Sequence, residues 1–381
     1  MFTRVFDWFG SFRASRLISW AALIIVPIIA GIGLYLICNS LFTLLLSSAA
    51  RDISRELGPG ANILLPGINP FLPILYGWLA IICAMLVHEG GHGIIARSHG
   101  MKVKSSGLVF FLIIPIGAFV DVDEEQLAKA EPKDSLRVLA AGVGGNIVVA
   151  VICILSVLVI VSGLTPVIDG LYIYDVVEGM PAEAAGLMAA DVFVSIDDVK
   201  IDSYEDLTVL LDDKNPGDII EVIVARGEMW KDRFSTVVNL TESEGEPAMG
   251  VFLGDLMTEE RLRFYQSLTP ETFSMYLVPP VLISGLVPFS DALIPFYTHS
   301  IGMQWHVFAK TFFWIWFVNV YVAIFNALPI YPLDGGRMFD IMLKRKSGEK
   351  EDEKKISRIT LVVTVTIISI LLMIAVIPFI L

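Results

Sequence analysis

Five long apolar runs constrain this chain more than anything else in its sequence. They cover about Leu17 to Leu46, Leu72 to Ala96, Leu136 to Ser162, His306 to Leu328 and Ile356 to Leu381. Each meets or exceeds the roughly 20 residues a helix needs to cross a bilayer core. A soluble chain of 381 residues would divide into two or three domains, but a helix that is apolar all round has no face to turn toward water. Hydrophobic residues make up 55% of the sequence and charged residues only 18%, which places it among polytopic membrane proteins. The first run follows Arg4, Arg13 and Arg16 and is too long for a signal-peptide core, so it reads as a retained span. Cys38, Cys83 and Cys153 all lie in apolar runs, where free cysteine acts as a small hydrophobe, and no disulfide framework is implied.

Two further apolar stretches are broken. "GLVFFLIIPIGAFVDVDEE" (Gly107 to Glu125) has about 14 apolar residues before its acids and contains Pro115 and Gly117. That is short for a span and rich in β-formers, which predicts a re-entrant strand or hairpin. The stretch from Phe273 to Tyr297 contains Pro279, Pro280, Gly285, Pro288 and Pro295 and predicts a partly inserted or amphipathic segment.

The net charge of −13 is unevenly spread. Thr165 to Glu271 holds 23 Asp/Glu against 7 Lys/Arg, and the remainder is slightly basic. An acidic soluble insert in a basic-flanked membrane body follows. Lys and Arg cluster before the first run, at Arg97 to Lys104 and Lys129 to Arg137 after the second, and at Arg337 to Arg358 between the fourth and fifth. With five spans these places share one side, which the positive-inside rule makes cytoplasmic. The N-terminus is then expected in the cytoplasm, and the insert and C-terminus outside. No basic cluster with interleaved aromatics is present, which sets nucleic acid aside as a partner.

Within the insert, "LYIYDVV" and "DIIEVIVARG" have strand patterns, "SYEDLTVLLDD" has helical spacing with Ser203 as its cap, and "NPGD" is a turn. Val176 to Gly227 resembles a PDZ domain of the circularly permuted, protease-associated kind, most clearly at "PAEAAGL" (Pro181 to Leu187). Ala190 stands where such domains often have Gly, which bears on one turn. PDZ domains take extended peptides by strand addition, often at a C-terminus. A spacer that binds nothing is the plainer alternative.

The second span contains "AMLVHEGGHGII" (Ala84 to Ile95). On a helix His88 and His92 share a face, and H-E-x-x-H is the pattern in which two histidines hold zinc while the glutamate works on water. Ionisable groups at membrane depth are costly and mark function. Helix-end polar groups, or a site that has lost its metal, are the competing explanations. Catalytic zinc takes three protein ligands and keeps one open position. His99, His299 and His306 sit in no matching motif, whereas Asp334 in "FNALPIYPLDGGRMFD" (Phe325 to Asp340) follows an apolar span and precedes a Gly-Gly turn. Alone, L-D-G-G is an ordinary loop sequence. Gly90, Gly91 and Gly93 weaken the helix by roughly 1 kcal/mol each relative to Ala, so packing or water access must account for them.

Taken together, the two motifs resemble those of the site-2 protease family of intramembrane zinc metalloproteases. That family pairs an H-E-x-x-H span with N-x-x-P-x-x-x-x-D-G, matched here by His88, Glu89 and His92 and by Asn326, Pro329, Asp334 and Gly335. The resemblance runs from about Leu72 to Asp340 and takes in the PDZ-like insert. It implies one Zn2+ per chain held by His88, His92 and Asp334, with Glu89 as the catalytic base. The family also has a small-residue cluster followed by Asn in the third span, matched by Asn146 in "AAGVGGNIVVA", and an amide at membrane depth suits a substrate backbone or the developing oxyanion. Gly142, Gly144 and Gly145 beside it serve close helix packing equally well. A helical substrate must unwind before its carbonyls can be attacked, and the resemblance puts Gly117, Phe119 and Val120 against it on an accepting strand edge.

The expected fold class is a polytopic α-helical membrane protein of about five transmembrane helices with re-entrant or amphipathic segments and an inserted extracytoplasmic PDZ-like domain. Its parts are a cytoplasmic tail (1–16), a first transmembrane helix (17–46), a membrane core half (72–163), the PDZ-like domain (168–245), the partly inserted segment (272–298), a helix carrying the L-D-G motif (306–340) and a last span (356–381). The function implied is cleavage of single-span transmembrane substrates within the lipid bilayer. A catalytically inactive scaffold that recruits partners through its PDZ-like domain is the alternative. A metal transporter is weaker, because the spans hold few acids or histidines to line a path.

Overall fold

Backbone groups inside a bilayer must find their partners within the protein, and in a single apolar segment only a helix provides them. All five expected spans are helices. A computed structural model describes residues 2–381 apart from 112–113, 244, 257–258, 268, 281, 283–284, 286 and 348–352. It comprises two compact units, Met1–Ser156 with Thr311–Leu381, and Val157–Lys310.

In chain order the first part runs α1 (Phe2–Ser11), α2 (Arg13–Leu46), α3 (Ser48–Leu57), α4 (Ile74–Ser98), β1 (Val103–Phe111), β2 (Ile114–Val122), α5 (Glu124–Lys129) and α6 (Pro132–Ser162). The spanning helices α2 and α6 cross where side chains are small. A core of Ala22, Val26, Leu139, Ala140, Ala323 and Ala327 draws on three of the spans, and a Cβ on Gly144 would lie 2.5 Å from Ala22. The outward faces are equally apolar: Leu361, Val362 and Leu372 of the last span are each more than 60% exposed, as lipid contact requires.

The stretch Gly107 to Glu125, expected as a re-entrant strand or hairpin, does pair as strands on either side of residues 112–113, which lie outside the described residues. β1 and β2 form an antiparallel hairpin in which Ser106 faces Val120, Gly107 faces Phe119 and Val109 faces Gly117. Its base packs with Ile95, Met101, Leu127, Val138 and Phe6 in one buried cluster. Phe6 belongs to α1, so the first sixteen residues, read from sequence as a tail, contain a packed helix. A Cβ on Gly93 would meet the Phe6 ring at 3.0 Å.

The inserted unit carries β3 (Leu164–Pro166), β4 (Leu171–Val176), α7 (Pro181–Ala184), β5 (Val192–Ile196), β6 (Val199–Lys200), α8 (Tyr204–Asp212), β7 (Ile219–Arg226), β8 (Asp232–Asn239), β9 (Thr241–Ser243), β10 (Glu246–Ala248), β11 (Val251–Asp255), α9 (Glu259–Gln266), α10 (Pro270–Tyr276) and β12 (Tyr297–His299). Its main sheet has the order β11-β4-β5-β7-β8, with β6 beside β5, so the sheet continues past residue 245. Ile173, Phe193, Ile196, Val222 and Val238 fill its core. Ser203 caps α8 in a capping box with Asp206, as its sequence predicts. Ala190 takes a φ of 69°, the conformation glycine supplies in related turns. Buried Asp191 accepts from Nε and Nη2 of Arg226 at 2.6 Å each next to that turn, and this pairing raises the pKa of Arg226. In the Pro-broken stretch 272–298, α10 ends at Tyr276, just before Pro279 and Pro280. Beyond it Phe289, Leu293 and Phe296 are buried, and the prolines prevent one continuous helix over the stretch.

Completing the chain are α11 (Trp305–Ala327), α12 (Asp334–Ser347) and α13 (Glu353–Ile380). Glycine lets α12 start hard against the end of α11: a Cβ on Gly335 would lie 2.1 Å from the Ala327 carbonyl oxygen. The second glycine of L-D-G-G is as tightly held, with Ile330 2.4 Å from its missing Cβ.

Candidate metal centre and active site

Helical spacing brings His88 and His92 to one face of α4, and the abrupt start of α12 delivers Asp334 to the same point. His88 Nε2 lies 3.0 Å and His92 Nε2 3.1 Å from Asp334 Oδ2. The two Nε2 atoms are 3.3 Å apart. Among the described residues this is the one group of three or more His, Cys, Asp or Glu that converges in this way.

Hydrogen bonding on the far side of each ring fixes what the rings present. His92 Nδ1 lies 2.8 Å from the Val138 carbonyl, which can only accept. The hydrogen of His92 therefore sits on Nδ1, and Nε2 offers a lone pair. His88 Nδ1 lies 2.8 Å from Asn146 Oδ1. Asn146 Nδ2 donates to the Ala84 carbonyl at 3.1 Å and to Asn319 Oδ1 at 2.9 Å, so Oδ1 is the atom left to accept from His88. His88 too then presents a lone pair at Nε2.

Three acceptors thus face one another, and Asp334 Oδ2 is buried with no hydrogen-bond partner. A shared cation relieves an arrangement of that kind. Two imidazole nitrogens and a carboxylate oxygen, with room for one more ligand, is a donor set that suits catalytic zinc. Ligands about 2.0–2.1 Å from a tetrahedral ion stand roughly 3.3 Å apart, close to the spacings found.

The cluster opens on a cavity of about 250 Å3 lined by Glu89, Val120, Asn326, Asp334 and Arg337 among others. Glu89 Oε2 accepts from the Val120 backbone N–H at 2.8 Å, which ties the glutamate to the hairpin. On the same cavity Arg337 pairs with Glu124 at 2.8 Å.

Not every sequence expectation survives. Asn146 was expected at the substrate, yet both ends of its buried amide are taken up by His88, Ala84 and Asn319. Of Gly90, Gly91 and Gly93 in α4, Gly90 alone borders open space. Gly91 and Gly93 serve packing, with a Cβ on Gly91 reaching 2.4 Å from the Ala141 carbonyl oxygen. Gly142 does more than let helices approach: its Cβ would lie 2.5 Å from His92 Nε2 and 2.8 Å from His88 Cε1. Asn319 went unnoticed in the sequence, although an amide amid "FFWIWFVNVYVAIF" is itself a signal at membrane depth. His99 pairs with Asp134 at 3.3 Å, away from the cluster.

The sequence matches the family model described as Peptidase family M50 over residues 76–371. An uncharacterized protein of Methanocaldococcus jannaschii is 25% identical over 82% of this chain and 68% of its own length. The zinc metalloprotease RasP of Oceanobacillus iheyensis is 23% identical over 55% of this chain and 51% of that protein. A membrane-bound transcription factor site-2 protease homolog of Arabidopsis thaliana is 27% identical over 46% of this chain and 33% of that one. Among solved structures, the PDZ domain of an SdrC-like protein from Listeria monocytogenes is similar over 23% of this chain and 88% of that chain, at 25% identity and a TM-score of 0.21, a superposition too loose to argue from. A model matched across four of the five spans and both motifs is different in kind, and on it the chain belongs to peptidase family M50, as an integral membrane zinc metalloprotease of the site-2 protease type.

Proposed function

We propose that His88, His92 and Asp334 hold the zinc, that Glu89 is the general base, and that the substrate is a single-span transmembrane protein cut within the bilayer. The observation that carries this reading is the set of three mutually facing acceptors, two of them on the helix that bears Glu89. Zinc held there supplies the Lewis acidity that makes water nucleophilic near neutral pH and polarises a peptide carbonyl. Glu89 takes the proton of the attacking water as its oxygen bonds to the scissile carbon, and delivers that proton to the departing amide nitrogen as the C–N bond breaks. The Val120 N–H fixes one oxygen of Glu89 and leaves the other free for this transfer.

A substrate strand is received on the outer edge of β2. Along an antiparallel strand, backbone groups point alternately toward and away from the partner. Val120 aims its N–H away from β1 at Glu89, so Ala118 also faces outward, while Gly117 and Phe119 face inward toward Val109 and Gly107. Of the three residues expected at the substrate, Val120 lies on the outer edge with its N–H already given to Glu89, which leaves Ala118 as the outward-facing backbone for a strand, and Phe119 contributes an exposed ring.

The insert acts as a filter outside the cytoplasm, with the N-terminus and the hairpin on the cytoplasmic side. A peptide adds to β11, the terminal strand of the sheet, alongside α8, whose first residue Tyr204 already donates to the Leu253 carbonyl of β11.

The test is zinc analysis of the detergent-purified protein together with cleavage of a transmembrane peptide by wild type and Glu89→Gln. Zinc retained and cleavage lowered about 10²–10⁴-fold in the variant is the expected result. Equal cleavage by both would remove Glu89 from the mechanism. Asp334→Asn that keeps full zinc would remove Asp334 as a ligand.

A further inference from the structure

Resting on His88 as a zinc ligand, we propose that Asn319, midway along α11, is a positioning residue for the metal centre: it locks the amide of Asn146, which sets the tautomer and ring plane of His88. All the links are short and buried. Asn319 Nδ2 donates to the Ile315 carbonyl at 2.7 Å, which leaves Asn319 Oδ1 free to accept from Asn146 Nδ2 at 2.9 Å. Asn146 Nδ2 spends its other hydrogen on the Ala84 carbonyl, and Oδ1 accepts from His88 Nδ1. Asn146 and Asn319 are both 0% exposed, so no bulk water can substitute for a lost partner.

Two backbone carbonyls, those of Ile315 and Ala84, therefore orient both amides, and the chain ends on a histidine whose hydrogen is held at Nδ1. With a hydrocarbon at residue 319, Asn146 keeps only one partner for its two N–H hydrogens. The reversed amide, still opposed by the Ala84 carbonyl alone, then lies closer in energy, and in it an N–H turns toward His88. Against that donor His88 offers the Nδ1 lone pair and carries its hydrogen on Nε2, the tautomer that cannot bind a metal through Nε2. Groups that orient a ligating histidine in this way typically govern metal affinity by 10–100-fold. His88, Asn146 and Asn319 come from three different spans, separated by 58 and 173 residues, so the same contacts could serve only to hold helices together. A role confined to helix packing would alter stability without altering the metal's affinity or ligand field.

The experiment uses the full-length protein in detergent, stripped by chelator. It is titrated with Zn2+ against a competing chromophoric chelator, and with Co2+ read by its visible absorption. Asn319→Leu is expected to bind zinc about tenfold more weakly and to shift the cobalt bands, while Asn319→Asp, which keeps an accepting oxygen, restores affinity to within about threefold. In an Asn146→Asp background, where no amide remains to be locked, adding Asn319→Leu produces no further loss. Wild-type zinc affinity and an unchanged cobalt spectrum in Asn319→Leu overturn the proposal, as does a full further loss in the Asn146→Asp background. If Asn319→Leu is not recovered folded, Asn319→Ser, whose oxygen is set back from Asn146, is read by the same two measurements. Failure of the ligand assignment looks different: His88→Ala then binds zinc as wild type does, and both readings fall together.

Discussion

Gly142 lies beneath both imidazoles, and at this scale a single methyl group is decisive. A Cβ there would come within 2.5 Å of His92 Nε2, and neither ring can swing away without giving up its Nδ1 hydrogen bond to Val138 or Asn146. Gly142→Ala is accordingly expected to weaken zinc binding by at least the roughly 10–100-fold seen when ligand orientation is lost. Helix α6 itself should gain up to about 1 kcal/mol from the better helix former. Zinc affinity and the unfolding midpoint of the apo protein, measured together, separate the two effects; unaltered zinc affinity would show that the rings can move. The sequence offers Gly142 only as one of three small residues in a packing stripe. The neighbouring imidazoles that give it its meaning are 50 residues or more away in the chain.

Secondary-structure elements carry two further predictions. In the hairpin, the Val120 N–H faces Glu89 instead of β1, so Val120→Pro removes the donor to Glu89 without removing a ladder hydrogen bond. Hydrogen bonds to charged groups are worth about 1.5–3 kcal/mol, so cleavage should fall about tenfold or more with zinc retained. Undiminished cleavage by Val120→Pro would mean that the hairpin does not position the base. In the insert, Ser203→Ala breaks the capping box of α8 and is expected to cost about 1 kcal/mol, or roughly fivefold faster amide exchange over 204–212. The Ser203 hydroxyl, with the Asp202 and Ser203 backbone N–H groups, holds the Asp206 carboxyl below its ordinary range. A depressed folded-state pKa contributes stability above the unfolded value of about 3.9 that is lost as pH falls through the folded value. The difference between wild type and Ser203→Ala should therefore be full at pH 7 and shrink as the solution is acidified below about pH 4.

As a whole molecule, the protein is a membrane body with an acidic insert, and its sidedness is argued from charge. Lys129 and the Arg97 to Lys104 cluster flank the hairpin, whereas the insert holds most of the acids. With Cys38, Cys83 and Cys153 replaced, a single cysteine at Asp213→Cys should react with a membrane-impermeant maleimide on intact cells. One at Lys129→Cys should react only after permeabilisation. The reverse pattern would invert the orientation and move the insert to the cytoplasmic side. The family match favours the protease over the inactive-scaffold and transporter readings.

Patterns that repeat along the chain were legible in the sequence by itself. Apolar runs gave the spans to within a few residues, β-forming residues around Pro115 and Gly117 gave the hairpin, Ser203 gave the start of α8, and i,i+4 spacing put His88 and His92 on one face. Each is a local property, written in the residues that carry it. The tail that became α1, the burial of Phe289 and Phe296, the diversion of Asn146 from substrate to His88, and the place of Asn319 behind it were decided only by packing. Lipid rewards any apolar surface equally, so hydrophobicity inserts the helices without specifying which faces meet. That choice falls to small residues and buried polar groups, whose partners lie in other spans and are named by no pattern in the chain.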